Sequence, residues 1–280
     1  MLANTEQRRA FRRLHATGCF VMPNPWDVGT ARYLQHLAFP ALATTSAGAA
    51  FSIGVADNAV PRDVMLAHVR TIVEASDVPV NADFESGFAA DPEGVGESVR
   101  LCVATGVAGL SIEDSTGADD APLFELAEAV VRLRAARAAI DRAGGEVVLT
   151  ARAECFVVGR PDLRDAIRRL VAYAEAGADC LYAPGLTTAE QIAAVVQAVA
   201  PKPVNVLMSS PSDLTVGRLA DLGVHRISVG SGLARAAWGG FIRAARQIAE
   251  TGRFDALGDA MPFGDLNAFF RADGARRARS

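Results

Sequence analysis

Val78-Pro-Val-Asn-Ala-Asp-Phe-Glu-Ser-Gly-Phe88 is an apolar segment that runs into acid and then into a glycine turn. Asp83 and Glu85 lie two residues apart at its end, so an extended backbone projects both to the same side. Short apolar segments of this kind recur along the chain. They end at Asn24, Ser46, Glu85, Glu113, Glu154, Gly185, Met208 and Gly232. Stretches with helical spacing lie between them, such as the one carrying Val64, Val69 and Ile72. Eight strand–helix repeats predict an α/β fold, a (β/α)8 TIM barrel, which places its active site where the strands end. The strands are nearly continuous apolar runs, as parallel strands buried on both faces must be. The rival topology is an open doubly wound sheet. It finds no support, because no GxGxxG follows a strand and no GxxxxGK[ST] occurs.

The predicted strands are 19–22, 41–46, 78–84, 109–113, 147–151, 180–183, 204–208 and 226–229. A helix over 5–17 precedes them. A Gly/Ala/Ser-rich loop is expected from Ser46 through Gly54 to Asp57-Asn58, and a long helix over about 122–143. The segment 261–271 is a further helical piece, and the basic tail Arg271–Ser280 reads as a frayed end. No linker or break in composition divides the chain. The expectation is one barrel domain over 1–280, with an N-terminal helix and a C-terminal helical extension.

Composition excludes several classes of function. The formal net charge is −4 and no basic block stands outside the tail, so nucleic acid is not an expected partner. No apolar run reaches the roughly 18 residues of a membrane span, and no secretory leader pattern opens the chain. Cys19, Cys102, Cys155 and Cys180 are far apart, with no zinc spacing, and read as buried thiols in a reducing cytoplasm. Lys202 is the only lysine and sits between two prolines before a strand, at the wrong end of the barrel for a Schiff base. His15, His36 and His68 fall on predicted helices and His225 precedes a strand, so no histidine is an obvious general base.

The strand ends carry the chemistry. Asp83, Glu85 and Glu113 offer hard oxygen ligands of the kind that suit Mg²⁺. The alternative for each is a solvated or helix-capping acid. Arg152 follows the strand Val147–Ala151, and its fork suits a carboxylate or phosphoryl group. Glu154 would fix that arginine or reach a metal-bound water. The alternative is an internal Arg152–Glu154 or Arg152–Asp83 ion pair. Asp57, beyond the small-residue loop, would complete the shell or simply shape a turn. Thr45, Ser46, Ala47 and Gly48 offer hydroxyl and N–H groups for a carboxylate. Trp26, beside two prolines, and Asn205 complete the candidate substrate contacts.

Taken together, Asn24-Pro-Trp-Asp27, Thr45-Ser-Ala-Gly48, Asp83-Phe-Glu-Ser-Gly-Phe88, Ile112-Glu-Asp114 and Ala151-Arg-Ala-Glu154 resemble the isocitrate lyase/phosphoenolpyruvate mutase superfamily. The likeness runs over roughly residues 8 to 250. It implies a Mg²⁺-dependent barrel, with Mn²⁺ as a possible substitute. It also implies a small carboxylate substrate, a 2-oxo or 2-hydroxy acid, and a C–C or P–C bond made or broken beside a pyruvate enolate. Asp83 matches the principal metal aspartate, Glu85 stands for the second aspartate, and Glu113 matches the glutamate of the metal shell. Asp57 matches an aspartate near the metal waters. Arg152 matches the substrate arginine, and Ser46 to Gly48 match the carboxylate loop. The family tends to exchange its last barrel helix between subunits, which implies a homo-oligomer, a dimer of dimers.

The chain departs from the family's common Asp-x-Asp-Thr-Gly-Tyr pattern at Asn81 and at Glu85, and from its lyases and mutase in the segment that follows Glu113-Asp114. The segment Ser115-Thr-Gly-Ala-Asp-Asp-Ala-Pro122 lacks the Lys-Lys-Cys-Gly-His of the isocitrate and methylisocitrate lyases. It also lacks the Lys and Asn of phosphoenolpyruvate mutase. A true isocitrate lyase is therefore not expected. C–C cleavage of the oxaloacetate-decarboxylase kind is favoured, because CO2 leaves without accepting a proton. The alternatives are phosphonopyruvate-type P–C chemistry, a metal-dependent aldolase, and a barrel that binds metal and carboxylate without turnover.

Overall fold

The computed structural model describes residues 2–279. Eight parallel strands form one sheet in the order β1-β8-β7-β6-β5-β4-β3-β2. They are β1 (Phe20–Met22), β2 (Leu42–Ala43), β3 (Val80–Asp83), β4 (Gly109–Glu113), β5 (Val148–Arg152), β6 (Cys180–Tyr182), β7 (Val204–Leu207) and β8 (Arg226–Ser228). The Ala43 N–H donates to the carbonyl of Pro23, just past β1, at 3.1 Å and bridges the remaining gap. The fold is the expected (β/α)8 barrel.

The helices are α1 (Leu2–Ala16), α2 (Val28–His36), α3 (Ser46–Ser52), α4 (Arg62–Ala75), α5 (Pro92–Ala104), α6 (Leu126–Arg142), α7 (Leu163–Glu175), α8 (Ala189–Val199), α9 (Val216–Asp221), α10 (Gly232–Thr251) and α11 (Phe263–Arg277). Short polar side chains open most of the barrel helices. Asp27, Thr45, Asp91, Asp162, Thr188 and Thr215 each accept from a first-turn N–H, an arrangement worth about 1 kcal/mol per helix. The main core lies between the sheet and these helices, around Val69, Val99, Leu110, Ile140, Leu170 and Val195.

Helix α1 closes the end of the barrel at which the strands begin. Phe11 is fully buried among Phe20, Met22, Ala108, Val148 and Cys180. Gly109 makes room for it: a Cβ there would sit 2.6 Å from the Phe11 ring. Arg8 donates to the carbonyls of Val103 and Val107, and Arg12 to those of Gly145 and Glu146, so the helix is tied to the loops that lead into β4 and β5. This leaves the opposite end, where the strands finish, open for chemistry.

Two expectations are corrected. The segment after β2 is not a loop: Ser46–Ser52 is a helix, capped by the Thr45 side chain accepting from the Gly48 N–H at 3.3 Å. Small residues make the turn compact enough to bury Gly48, Ala49 and Ala50. The tail is not frayed through its length either, because α11 continues to Arg277, with Asp273 paired to Arg276 and Arg277. Ser280 lies outside the described residues.

Backbone contacts divide the chain into two compact units at Leu233/Ala234. The second holds most of α10, a 3-10 turn at Asp255–Asp259 and α11. Among the described residues, no helix is long and apolar enough to cross a membrane.

Candidate active site

The strand ends converge on Arg152, but the expected pairing of Asp83 and Glu85 on one side is corrected: β3 ends at Asp83, and Glu85 lies beyond it in a left-handed turn, outside the cavity lining. Arg152 closes β5 and forms the hub. Its Nη1 donates to Asp83 Oδ1 at 2.6 Å, its Nε to Glu154 Oε1 at 2.8 Å, and its Nη2 lies 3.1 Å from Glu113 Oε2. The guanidinium carbon stands 5.2 Å from the centre of the Tyr182 ring. Burial alone would lower the arginine pKa, but the charges of Glu154, Glu113 and Asp83 outweigh it and hold the group firmly protonated. Burial raises Glu113 and Glu154 above the usual carboxylate range, and Arg152 offsets part of that rise. The internal ion pairs weighed from the sequence are therefore both present.

Asp83 faces two ways. Its Oδ2 accepts from the Ser46 N–H at 3.0 Å while Oδ1 meets Arg152. Its own N–H donates to Thr44 Oγ1 at 2.9 Å. The expected carboxylate-holding amides are thus partly committed inside the protein, Ser46 to Asp83 and Gly48 to Thr45.

Glu85 is the unusual acid. Its φ of 46° is in the left-handed region that a non-glycine residue enters only at an energetic cost. Its carbonyl accepts from the Glu113 N–H at 3.0 Å, which fixes the strained residue to β4. Its side chain is buried, and Oε1 has no hydrogen-bond partner. Burial, then the charges of Asp83 and Asp57, push its pKa up to about 8. Asp57 stands on the exposed rim, where partial desolvation and the Asp83 charge push its pKa up while Ser46 works the other way.

Behind the hub, Asp114 turns away from the cavity. It accepts from the Glu154 N–H at 2.8 Å, from Arg169 at 3.0 Å and from the Tyr173 hydroxyl at 2.6 Å. This buried network sets the backbone that carries Glu154. Arg132 does similar work for the other loop, donating to the carbonyls of Ser86, Ala89 and Ala90 just past Glu85.

A cavity of about 160 Å³ opens at this end. Of the candidate residues, Thr45, Ser46, Ala47 and Asp57 line one side of it, and Asp83, Arg152 and Asn205 another. Glu113 and Glu154 stand behind Arg152 through their ion pairs, and Trp26, Gly48 and Glu85 are not part of the lining. The cavity also exposes side chains that the sequence reading passed over: Asn24, Tyr182, Ser228 and Arg226. Asn24 ties three strand ends together, donating to Thr44 and accepting from the Val229 and Gly230 N–H groups. Arg226 and Ser228 lie two residues apart along β8, so the period of a strand offered a signal for them.

A divalent cation fits this set. Asp83, Glu113 and Glu154 pair with Arg152, Asp57 and Glu85 stand near enough to feel its charge, and Glu85 holds an unpartnered buried oxygen. Among the described residues, no three His, Cys, Asp or Glu side chains converge into a ready-made cage. Mg²⁺ does not require one, since it keeps several waters and takes one or two carboxylates.

The phosphoenolpyruvate phosphomutase family matches residues 11–249. A Burkholderia cenocepacia J2315 protein, provisionally described as a lyase/mutase, is 49% identical, with a TM-score of 0.93 over 96% of this chain and 98% of that one. The 2,3-dimethylmalate lyase structure, a member of the PEP mutase/isocitrate lyase superfamily, is 27% identical, with a TM-score of 0.84 over 99% and 97%. An oxaloacetate decarboxylase of Paraburkholderia xenovorans is 30% identical over 208 residues, 71% of this chain and 68% of that protein.

Proposed function

The chain belongs to the phosphoenolpyruvate phosphomutase family, within a superfamily of lyases and phosphomutases, and on that premise we propose that it is a Mg²⁺-dependent carbon–carbon lyase. Its substrate is a small 2-oxo or 2-hydroxy acid, and the favoured reaction is decarboxylation of the oxaloacetate kind. The observation that carries this reading is the surplus of carboxyl groups at the strand ends: Asp57 and Asp83 line the open cavity beside Arg152, and Glu113 and Glu154 pair with that arginine from behind. The similarity to the 2,3-dimethylmalate lyase and the oxaloacetate decarboxylase supports it.

Asp83 would hold the metal directly, with Glu85, Glu113 and Asp57 acting through its waters. When bound, Mg²⁺, or Mn²⁺ in its place, supplies Lewis-acid stabilisation of charge developing on the 2-oxo oxygen. Arg152 presents its fork to the substrate carboxylate once its hold on Asp83 is relaxed. Glu113 and Glu154 keep that fork charged and aimed, and Asp114 keeps Glu154 in place. Ala47 and Asn205, with Thr45 and Ser46, form walls that orient the acid.

The segment Ser115–Pro122 bears on the choice of bond. It folds on itself through a Ser115–Leu123 bridge and a Thr116 Oγ1 bond to the Ala121 carbonyl at 2.6 Å. It offers no lysine, cysteine or histidine to protonate a leaving group. Loss of CO2 needs no such donor.

The test is turnover of oxaloacetate and of phosphonopyruvate with and without Mg²⁺. Metal-dependent loss of CO2 from oxaloacetate is expected. Turnover of phosphonopyruvate alone would move the protein to P–C chemistry, and turnover that ignores the metal would overturn the reading.

The same reading includes a homo-oligomer, a dimer of dimers. Trp238, Phe241 and Phe263 are 39%, 61% and 86% exposed in the single chain, an apolar surface that a second copy would cover. Light scattering that returns a monomer would contradict this. Four free cysteines support residence in a reducing cytoplasm.

A further inference from the structure

Arg226 is a buried cation without an anion. It is 1% exposed, yet its guanidinium reaches only neutral partners. Nε donates to Asn205 Oδ1 at 2.9 Å, Nη2 donates to Thr150 Oγ1 at 3.0 Å, and Nη1 stands 3.2 Å from His15 Nε2. His15 Nδ1 lies 2.8 Å from the Phe11 carbonyl, which assigns the proton to Nδ1 and leaves Nε2 to accept from Arg226. No ion pair reaches Arg226 among the described residues. Burial pushes its pKa down, and only Cys180 and Tyr182 act against that.

The other buried arginines are served differently. Arg169 pairs with Asp114 and Asp165, and Arg132 is capped by backbone carbonyls with Glu128 and Asp91 nearby. Neither lines the main cavity, whereas Arg226 does. An unpaired buried charge carries a penalty of several kcal/mol, which a site retains when a ligand of opposite charge relieves it.

The register gives the depth. Arg226 bonds Thr150, which precedes Arg152 by two residues on β5 and shares its inward face. The Arg226 guanidinium is therefore held at the level of Thr150, one inward-facing position or about 6–7 Å along β5 before the residue that carries the acidic hub. Asn205 accepts from Arg226 and in turn donates through Nδ2 to Ser228 Oγ at 2.9 Å, and both line the same cavity. The bonds to Asn205, Thr150 and His15 use one N–H on each nitrogen of Arg226 and leave N–H groups of the fork for another acceptor.

We propose that Arg226 is an anion subsite at the floor of the cavity, taking a carboxylate borne on the far end of the acid whose 2-oxo or 2-hydroxy end meets Asp83 and Arg152. This rests on the proposed enolate site for the near end only. Arg226 is thus a specificity-determining residue that separates a diacid from the corresponding monoacid.

The test compares malate with 2-hydroxybutanoate, which share a four-carbon chain and differ in the distal carboxylate. Affinities are measured by calorimetry in the presence of Mg²⁺, with oxalate as a ligand too short to reach the floor. In the wild-type protein malate binds at least about tenfold tighter than 2-hydroxybutanoate. In Arg226→Met that preference disappears, while oxalate affinity stays within about twofold. Arg226→Lys keeps the charge without the fork and retains part of the preference, which keeps the test available should the methionine variant misfold. Equal affinity for the two acids, or a preference that survives Arg226→Met, overturns the proposal. Loss of oxalate binding in wild type with the malate preference intact would count against the enolate site and leave Arg226 supported. A protein that binds neither malate nor oxalate overturns both.

Discussion

Arg152 and Arg226 lie on inward faces of the same barrel, one layer apart, and their surroundings are opposite. Arg152 has three carboxylates on its fork, while Arg226 has an amide, a hydroxyl and a neutral imidazole. One layer therefore carries surplus negative charge and the other surplus positive charge. Neither is a stable end state for a buried site. This contrast is what the proposed function and the Arg226 subsite both draw on: a cation beside the acidic layer and an oxyanion on the lone arginine. A barrel kept only for its fold would pair its own charges.

The strongest way to break this comparison is to empty the acidic layer. Asp83→Ala is expected to reduce Mg²⁺-dependent turnover by about 10²–10³-fold or more, the scale of losing a group that stabilises developing charge. Its circular dichroism should remain that of the wild type. Full activity in this variant would sink the assignment.

Removing each arginine in turn sharpens the contrast. Arg152→Met leaves Asp83, Glu113 and Glu154 facing one another and should destabilise the metal-free protein by about 3–5 kcal/mol. Arg226→Met removes a lone charge but strands the buried acceptors of Asn205, Thr150 and His15, so denaturant unfolding should show a smaller loss than Arg152→Met. Equal losses from the two substitutions would mean that the two layers are not different in kind.

A smaller effect is expected behind the acidic layer. Tyr173→Phe removes a 2.6 Å bond to the Asp114 carboxylate, and about 1.5–3 kcal/mol of stability should go with it. Turnover should fall further than the loss of folded protein explains, because Asp114 holds the Glu154 backbone. A variant with lower stability and unchanged kcat would confine the network to a structural role.

The smallest effect concerns pH. Glu85 has its pKa raised from the ordinary 4.5 to about 8 in the folded protein. A group raised in this way favours folding below its unfolded pKa, and that contribution is lost as pH rises through 4.5 towards 8. Metal-free Glu85→Gln should therefore melt a few degrees above wild type at pH 8 and close to it at pH 4.5. Mg²⁺ should narrow the gap at pH 8 by supplying the wild-type carboxylate with a partner.

Much of this was legible in the sequence, and the misses have physical reasons. Acidic strand ends stand out because an apolar run terminating in Asp83-Phe-Glu85 or Ile112-Glu113-Asp114 has few structural explanations. Ser46–Ser52 read as a loop because small residues carry no periodic apolar face, although Thr45 is a good helix cap. Arg226 was passed over because it sits at the beginning of a strand, where barrel residues normally serve stability. Its importance comes from the absence of an acid around it, and absence of a partner across the barrel is a property of the fold alone. The Asp114–Arg169–Tyr173 network was likewise out of reach, since its members are 55 and 59 residues apart in sequence.

In the proposed function the acidic layer holds a divalent cation against a small oxyanion. The most direct measurement is the melting temperature with Mg²⁺ alone, with oxalate alone and with both, in wild type and in Asp83→Ala. The expected result is a rise that requires both ligands, grows with their concentration over the dissociation constant and vanishes in the variant. No rise at millimolar ligand, or an equal rise in Asp83→Ala, would contradict it.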